Sequence, residues 1–245
     1  MLYINSNLVK FLIFLKIIKM NILNLIIIAI IIISIYLIFK SNLKENLFKT
    51  KIMPFIYDNG WRYLFRFYGY PGYVIEIRNA HKWFIHKKGN FKLLDIGCGT
   101  CKSTNLFIKT NAYKKIYAFD NSQHMINRCI KNKINSPYTD VLYKKVNIYN
   151  ISLPDNHVDY IFCGASLHCF ENIQKALTEL LRVLKPGGKV RFTTFMNMPF
   201  FAKFFRSFGN KQNLQKIFLN AGYNLKYLTI TNNKSLYTEI SYRKL

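Results

Sequence analysis

The chain has 245 residues and a mass of 29.0 kDa, which leaves room for one ordinary domain plus an extra segment, or for one larger α/β domain. Apolar residues make up 51% of the sequence and charged residues only 19%, which excludes a disordered, charged tail protein and allows a buried core. The net charge of +25 taken alone suggests an anionic partner.

The positive charge is spread evenly along the chain. Residues 1–90 hold 13 basic and 3 acidic side chains (+10), and residues 91–245 hold 23 and 8 (+15). Binding faces for nucleic acid are marked by patches of charge rather than by totals. The even density favours a compositional origin, in residue types with A/T-rich codons, and nucleic acid is disfavoured as a partner.

The cysteines are five in number and scattered through apparent core segments: Cys98, Cys101, Cys129, Cys163 and Cys169. An odd, scattered set predicts no disulfide framework. Cys98-Gly-Thr-Cys101 has the spacing of a redox or zinc half-site, but no second pair of Cys or His at ligand spacing accompanies it. No metal site is therefore predicted.

Residues 22–39 form an uncharged apolar run with lysines on both flanks. At about 1.5 Å rise per residue, such a helix just crosses a hydrocarbon core of about 30 Å. The run predicts an N-terminal hydrophobic helix, which is either a retained transmembrane anchor in a membrane or the apolar core of a cleaved secretory signal.

Met20 bears on that choice. If translation began there, the apolar run would follow the initiator directly, and a basic, Asn-rich stretch would follow from Lys40. That order resembles the two-part address of proteins sent through the secretory route into a complex plastid, such as an apicoplast. We expect a membrane-anchored protein, or one routed by a secretory signal to a plastid-type organelle, rather than a plain cytosolic one.

Residues 41–90 read as a basic linker followed by an aromatic-rich segment that carries Tyr57, Phe65 and Tyr73 among others. Ahead of an α/β sheet, such a segment forms either a lid over a flat or lipophilic acceptor or a helix pair packed on the sheet. Arg62 and Arg66 either pair with acids or face an anionic acceptor.

Residues 91–245 alternate between short apolar runs and amphipathic stretches. We predict strands at 92–96, 116–120, 141–147, 158–163, 190–195, 224–230 and 236–242, and helices at 102–110, 122–133, 172–184 and 212–220. This alternation predicts an α/β fold with a doubly wound, Rossmann-like seven-stranded sheet whose last strand is antiparallel. Ligands of such sheets bind at the carboxyl ends of the strands.

The first strand end carries the glycine pair Gly97 and Gly99, which removes side chains where the backbone turns sharply and approaches a ligand. The next helix presents its amino terminus to that ligand. Lys102 stands where a dinucleotide fingerprint has a further glycine, which disfavours a pyrophosphate binder.

Two more strand ends carry polar side chains. Asp120, 25 residues beyond Asp95, either accepts hydrogen bonds from both hydroxyls of a ribose or caps the next helix together with Ser122. At the third strand end, the Asn147 amide can hydrogen-bond an adenine edge, and Ile148 can cover the ring.

Four motifs then occur in order: Leu-Asp-Ile-Gly-Cys-Gly-Thr at 94–100, Phe-Asp-Asn-Ser at 119–122 with Met125, Leu-Pro-Asp-Asn-His-Val-Asp at 153–159, and Leu-Lys-Pro-Gly-Gly at 184–188. Together they resemble a class I S-adenosylmethionine (SAM)-dependent methyltransferase of the UbiE-like type, methyltransferase type 11. The stretches 57–62, 69–72 and 164–169 further resemble a plant plastid-targeted subgroup of that family.

This resemblance implies SAM as the cofactor and assigns residues to it. Asp95, Gly97, Cys98 and Gly99 surround the methionine part, Asp120 holds the ribose, Asn121 and Met125 flank the adenosine, Asn147 and Ile148 contact adenine, and Gly164 and Ala165 lie beside the sulfonium. The chain departs from the family pattern twice. Cys101 stands where a third small glycine is usual, and Asn147 replaces a common Asp, keeping the acceptor without the charge.

Methyl transfer from a sulfonium is an in-line displacement that needs alignment and exclusion of water, but no nucleophilic residue. A base is needed only where the acceptor loses a proton. His168, just past the fourth strand, is the candidate catalytic or acceptor-orienting residue, and the alternative is a histidine that only packs a helix. His157, before that strand, is predicted to be structural.

We therefore predict a SAM-dependent methyltransferase that acts on a small-molecule acceptor of lipophilic or quinone-like character. One alternative is an RNA or DNA methyltransferase, but residues 164–167 are Gly-Ala-Ser-Leu where amino-methylases of bases carry an Asn/Asp-Pro-Pro-aromatic tetrad. The other is a catalytically silent, membrane-anchored binding module that kept the fold. The motifs carry no information on oligomeric state.

Overall fold

The computed structural model describes residues 49–59, 62, 65–66, 69–85, 89–196, 206–231 and 236–245. The apolar run at residues 22–39, with the hydrophobic helix predicted there, lies outside these residues. Among the described residues, no helix combines the length and apolarity needed to cross a membrane.

The helices and strands alternate along the chain. The helices are α1 (Met53–Asp58), α2 (Tyr73–Phe84), α3 (Lys102–Ile108), α4 (Gln123–Lys131), α5 (Ile173–Val183) and α6 (Lys211–Asn220). The strands are β1 (Phe91–Ile96), β2 (Tyr113–Asp120), β3 (Asp140–Lys145), β4 (Val158–Gly164), β5 (Leu184–Phe195), β6 (Leu228–Thr231) and β7 (Tyr237–Arg243). Single 3-10 turns span Leu167–Cys169 and Leu225–Tyr227.

The strands form one seven-stranded sheet in the order β3-β2-β1-β4-β5-β7-β6. The pairs from β3 through β5 are parallel, and β7 is antiparallel to both of its neighbours. The predicted doubly wound sheet with an antiparallel last strand is therefore confirmed. The strand order reverses between β1 and β4, and the carboxyl ends of the strands at such a point are where ligands of doubly wound sheets bind.

The buried residues of the strands and helices follow the hydrophobic pattern of the sequence. In β1, the four residues from Leu93 to Ile96 are all buried, as expected of a central strand covered on both faces. Helix α5 buries Ile173, Ala176, Leu177 and Leu180, which recur at the spacing of one helical face. This face packs into the larger hydrophobic cluster, and helix α2 contributes to a second one on β1.

Several element bounds differ from the predicted ones, and three of the differences change how the strands begin or end. β3 ends at Lys145 rather than 147, because the chain turns there and Asn147 Oδ1 accepts a hydrogen bond from Tyr149 N at 3.0 Å. β5 begins at Leu184 rather than 190, and so includes the Leu-Lys-Pro-Gly-Gly motif at 184–188. The residues expected to open β6 form the 3-10 turn instead, with the Asn224 side chain accepting from Lys226 N.

Candidate functional site

The glycine loop after β1 is bound to the end of β2. The backbone N–H groups of Gly97 and Cys98 donate to Phe119 O, with N···O distances of 2.8 and 3.1 Å. Gly97 has φ +70°, and a Cβ there would lie 2.8 Å from Ser166 Oγ. Gly99 has φ +56°. Both positions therefore need glycine, which adopts positive φ at no steric cost.

Asp120 lies at the tip of β2, next to this loop. Its Oδ2 accepts a hydrogen bond from Gly99 N at 3.0 Å, and its Oδ1 accepts one from Ser122 N at 2.9 Å. Burial raises the pKa of Asp120, while the backbone N–H donors of residues 122, 99 and 121 oppose that rise. A carboxylate offers about four acceptor positions, so this geometry leaves room for two ribose hydroxyls.

Of the two residues predicted as possible caps of α4, Ser122 is the N-cap and Asp120 is not. The N-cap of α4 is Ser122, whose Oγ accepts from Met125 N at 3.4 Å. Asp120 instead supports the glycine loop. The structure thus assigns the helix cap to Ser122.

Asp95 lies beneath the loop, inside the sheet, and is only 1% exposed. Thr104 Oγ1 donates to its Oδ2 at 2.6 Å. Burial raises the pKa of Asp95 to about 7, against the lowering effect of this hydrogen bond. Its observed contact is with α3, so it positions the loop from below.

The remaining predicted cofactor residues line the same edge of the sheet. Asn121 and Asn147 are exposed there, and Met125 and Ile148 are buried beside them. On the β4 side, Ala165 has φ +50°, and its N–H donates to the O and Oγ1 of Thr193, at 3.0 and 2.8 Å. The structure brings the predicted set to the carboxyl ends of four neighbouring parallel strands, β3, β2, β1 and β4.

Helix α1 covers the glycine loop. A Cβ built on Gly99 would lie 3.6 Å from the Tyr57 ring, and Lys102 Nζ donates to Asp58 O at 2.8 Å. The Asp58 carboxylate forms an ion pair with Arg128 and accepts from Asn132 Nδ2 at 3.1 Å. These contacts fasten α1 to both α3 and the end of α4. Sequence analysis did not single out Asp58, because nothing local marks its partners.

Glu76 is a second residue that sequence analysis missed. It is 1% exposed on α2, and its Oε1 accepts from Arg62, Thr193 and Tyr237 at 3.1, 2.6 and 3.1 Å. Its Oε2 accepts from Tyr70 at 3.2 Å. Of the two alternatives for Arg62, pairing with an acid is therefore correct. Removing one partner of such a buried pair costs about 3–5 kcal/mol, because the other charge stays buried.

His168 is buried, 5% exposed, in the 3-10 turn after β4. Its Nδ1 lies 3.1 Å from Thr194 Oγ1, and its ring packs edge-on against Phe195 at 5.8 Å between centroids. Burial, with a smaller effect of the Arg62 charge, lowers the pKa of His168 to about 3. The imidazole is therefore neutral at physiological pH and can accept a hydrogen bond.

Cys101 and Cys129 form a disulfide, with 4.9 Å between their Cα atoms. The expectation that the cysteines form no disulfide was wrong for this pair. The sequence places them 28 residues apart, and only the packing of α4 beside the glycine loop brings them together. The same packing brings Cys129 to the Cys98–Cys101 pair, so that the three sulfur atoms lie within 4.8 Å of one another.

A cleft of about 910 Å³ lies at the opposite edge of the sheet. It is lined by the amino ends of β1, β2 and β3, including Lys92, Lys115 and Asp140. Ligands of doubly wound sheets bind at the carboxyl ends of the strands, so this cleft lies on the side of the sheet away from the candidate site.

The chain resembles known proteins in sequence and in fold. Residues 94–192 match the family model described as a methyltransferase domain. The match confirms the predicted resemblance to SAM-dependent methyltransferases, whose cofactor is S-adenosyl-L-methionine.

Relatives match over about three fifths of the chain. The chain is 31% identical over 158 residues to an uncharacterized chloroplastic methyltransferase of Arabidopsis thaliana, covering 63% of this chain and 45% of that protein. It is 27% identical over 154 residues to a demethylmenaquinone methyltransferase of Desulfitobacterium hafniense, covering 62% and 54%. The chain thus spans about half the length of these relatives.

A solved structure shares the fold. It is a SAM-dependent methyltransferase from Aquifex aeolicus, with a TM-score of 0.55 and 24% identity, covering 69% of this chain and 90% of that one. At that identity, the likeness concerns the fold alone.

The depressed pKa of His168 predicts a pH-dependent stability. The unfolded chain takes up its proton near pH 6.5 and the folded chain only near pH 3, so the contribution of the neutral imidazole is complete above pH 6.5 and is lost as the pH falls. Relative to His168→Gln, the wild-type free energy of unfolding should drop by about 3 kcal/mol from pH 6.5 to about pH 4. Urea unfolding across that range measures it.

His124→Gln, at a partly exposed position on α4, is the matched control. The control should follow the wild-type pH profile. A His168→Gln profile parallel to the wild type across the whole range would contradict the buried, neutral state of this side chain.

Proposed function

We propose that this chain is a SAM-dependent methyltransferase that transfers a methyl group to a small, lipophilic, quinone-like acceptor. The observation that carries the proposal is the hydrogen bond from Gly99 N to the Asp120 carboxylate. This bond holds the glycine loop, proposed to surround the methionine part of SAM, beside the carboxylate proposed to bind the ribose. The methyltransferase-domain match over residues 94–192 supports the same activity.

The residues present fit this cofactor. A Cβ at Gly97 would strike Ser166, so the loop keeps its backbone exposed at the point where the methionine part is expected. In the proposal, Gly97, Cys98 and Gly99 surround that part, with Asp95 holding the loop from below. Asp120 binds the ribose.

The other assignments follow the strand ends. Asn121 and Met125 flank the adenosine, Asn147 and Ile148 contact adenine, and Gly164 and Ala165 lie beside the sulfonium. Asn147 Oδ1 accepts a hydrogen bond from Tyr149 N, so the amide N–H₂ group of Asn147 is the one proposed to donate to the adenine base.

The acceptor end is proposed around His168. The ring of Phe195 makes a tilted contact with Phe65 at 4.9 Å between centroids and an edge-on contact with Tyr237 at 5.8 Å, which gives this side an aromatic character that suits a flat ring. The name of the demethylmenaquinone methyltransferase relative points to a quinone-type acceptor for that protein, and we extend it here as a proposal.

The protein's work in this reaction is alignment. A bound SAM supplies an electrophilic methyl group on a sulfonium. The neutral His168 accepts a hydrogen bond from the acceptor hydroxyl and orients it, while Thr194 holds the imidazole from the other side. With a pKa of about 3, His168 is a weak base, so its main role is orientation and not storage of a proton.

The remaining organisation is proposed as three parts: residues 1–40 as the signal or anchor, 41–90 as linker and lid, and 91–245 as the methyltransferase domain. The chloroplastic relative supports a plastid-type destination, and the apolar run at residues 22–39 supports a membrane route to it.

Asp120→Ala should weaken binding of S-adenosylhomocysteine to the full-length protein by about ten- to a hundredfold, because it removes a charged acceptor for the ribose hydroxyls. Isothermal titration calorimetry measures the affinity. Asp140→Ala, an exposed acid at the amino end of β3, is the control and should bind like the wild type. A wild-type protein that binds neither S-adenosylhomocysteine nor SAM would overturn the proposed function.

His168→Gln should lower kcat for a prenylated quinol by about a hundredfold and leave the S-adenosylhomocysteine Kd unchanged, because it removes the acceptor-orienting imidazole. Transfer of label from methyl-labelled SAM measures the rate. His157→Gln, whose ring contacts Tyr117 on the amino-terminal side of β4, is the matched control. Label that appears on RNA or DNA instead of the quinol would refute the acceptor class.

N-terminal sequencing of the protein isolated from its compartment tests the proposed route. A cleaved signal predicts a mature chain that begins after residue 39, and a retained anchor predicts that residues 22–39 are still attached and that the protein resists alkaline extraction from membranes. A chain that keeps residues 22–39 and is released by alkali contradicts both forms of the proposal.

A further inference from the structure

Three cysteine sulfurs meet in the wall of the candidate cofactor crevice, all within 4.8 Å of one another. Cys98 belongs to the glycine loop, Cys101 is the N-cap residue of α3, and Cys129 lies on α4. Cys101 and Cys129 are bonded, while Cys98 remains a thiol. Burial raises the pKa of Cys98, so this third sulfur stays protonated and does not attack the neighbouring bond.

Cys101 occupies a backbone position that suits glycine. Its φ of 65° and ψ of 23° are left-handed, a region that side chains with a Cβ rarely adopt. The residue is also fully buried. Such a conformation persists only where the surroundings hold it, and here the bond to Cys129 supplies a covalent restraint.

The disulfide encloses the proposed cofactor contacts. Gly99 precedes Cys101 by two residues, and Asp120 lies between Cys101 and Cys129 in the chain. Within this closed segment, Ser122 caps the helix that carries Cys129. The bond therefore fixes the glycine loop against the helix that follows the ribose carboxylate, and so preorganises both walls of the crevice.

We propose that Cys101 and Cys129 are a reversible thiol–disulfide pair whose oxidised form is the one that binds the cofactor. The inference rests on the proposed function. Oxidation joins the two Sγ atoms and releases two protons and two electrons, which a glutathione-type disulfide takes up as it is cleaved to two thiols. A dithiol reductant reverses the step and becomes a disulfide itself.

Access to the pair runs through α1. Both sulfurs are on residues with no exposed surface, and Asp58 bonds to Arg128 and Asn132 on either side of Cys129, while Lys102 beside Cys101 donates to Asp58 O. Exchange with a reductant thus requires α1 to lift. Asp58→Asn, which weakens this cover, should speed reduction by dithiothreitol severalfold.

The test compares oxidised and reduced full-length protein. S-adenosylhomocysteine should bind about tenfold more weakly after reduction, since one further loop residue must then be ordered on binding. The oxidised protein should also melt about 5–10 °C higher, from the closed segment of 28 residues. Cys101→Gly, which suits the left-handed backbone, and Cys129→Ala should each abolish the difference between the two states. Cys163→Ser, at a buried thiol outside the trio, should retain it.

The possible outcomes distinguish a failure of the redox proposal from a failure of the proposed function. Equal affinity in the two redox states would overturn this inference and leave the proposed function intact, whereas no binding in either state would overturn both. Intact mass spectrometry under native conditions reports the state of the sulfurs directly. A loss of two hydrogens supports the disulfide, and a tightly held zinc ion on the three thiols would replace the proposal by a metal site.

Discussion

The candidate site depends on one hydrogen bond, from the backbone N–H of Gly99 to the carboxylate of Asp120. β1 and β2 are parallel neighbours, so their carboxyl ends meet at one edge, and the N–H groups of Gly97 and Cys98 bind Phe119 O there. These contacts hold a left-handed glycine backbone beside an anionic side chain. Without them, neither the glycine loop nor the Asp120 carboxylate would keep its position.

On the β4 and β5 side of the switch point, buried polar side chains must find hydrogen-bond partners within the protein. Glu76 accepts four hydrogen bonds from three different parts of the chain, so its charge is satisfied and Arg62 is neutralised. Thr193 belongs to this network and also holds the Ala165 loop. The neighbouring Thr194 holds His168. One strand end thus sets the floor of the crevice and the candidate acceptor residue together.

Helix α1 and the Cys101–Cys129 bond act on the same loop from outside. Asp58 joins α1 to the residues that flank both cysteines, and the disulfide joins the loop to α4. These contacts connect α1, the glycine loop and α4 to one another.

Local rules in the sequence were enough for the order of strands and helices, the antiparallel last strand and the glycine loop, because hydrophobic period and glycine placement act over a few residues. Folding settled the rest. Glu76 and Tyr237 are 161 residues apart, and Cys101 and Cys129 are 28 apart on different elements. Such partners meet because the fold places residues that are distant in sequence next to one another. The spacing of the residues along the chain does not indicate these pairings.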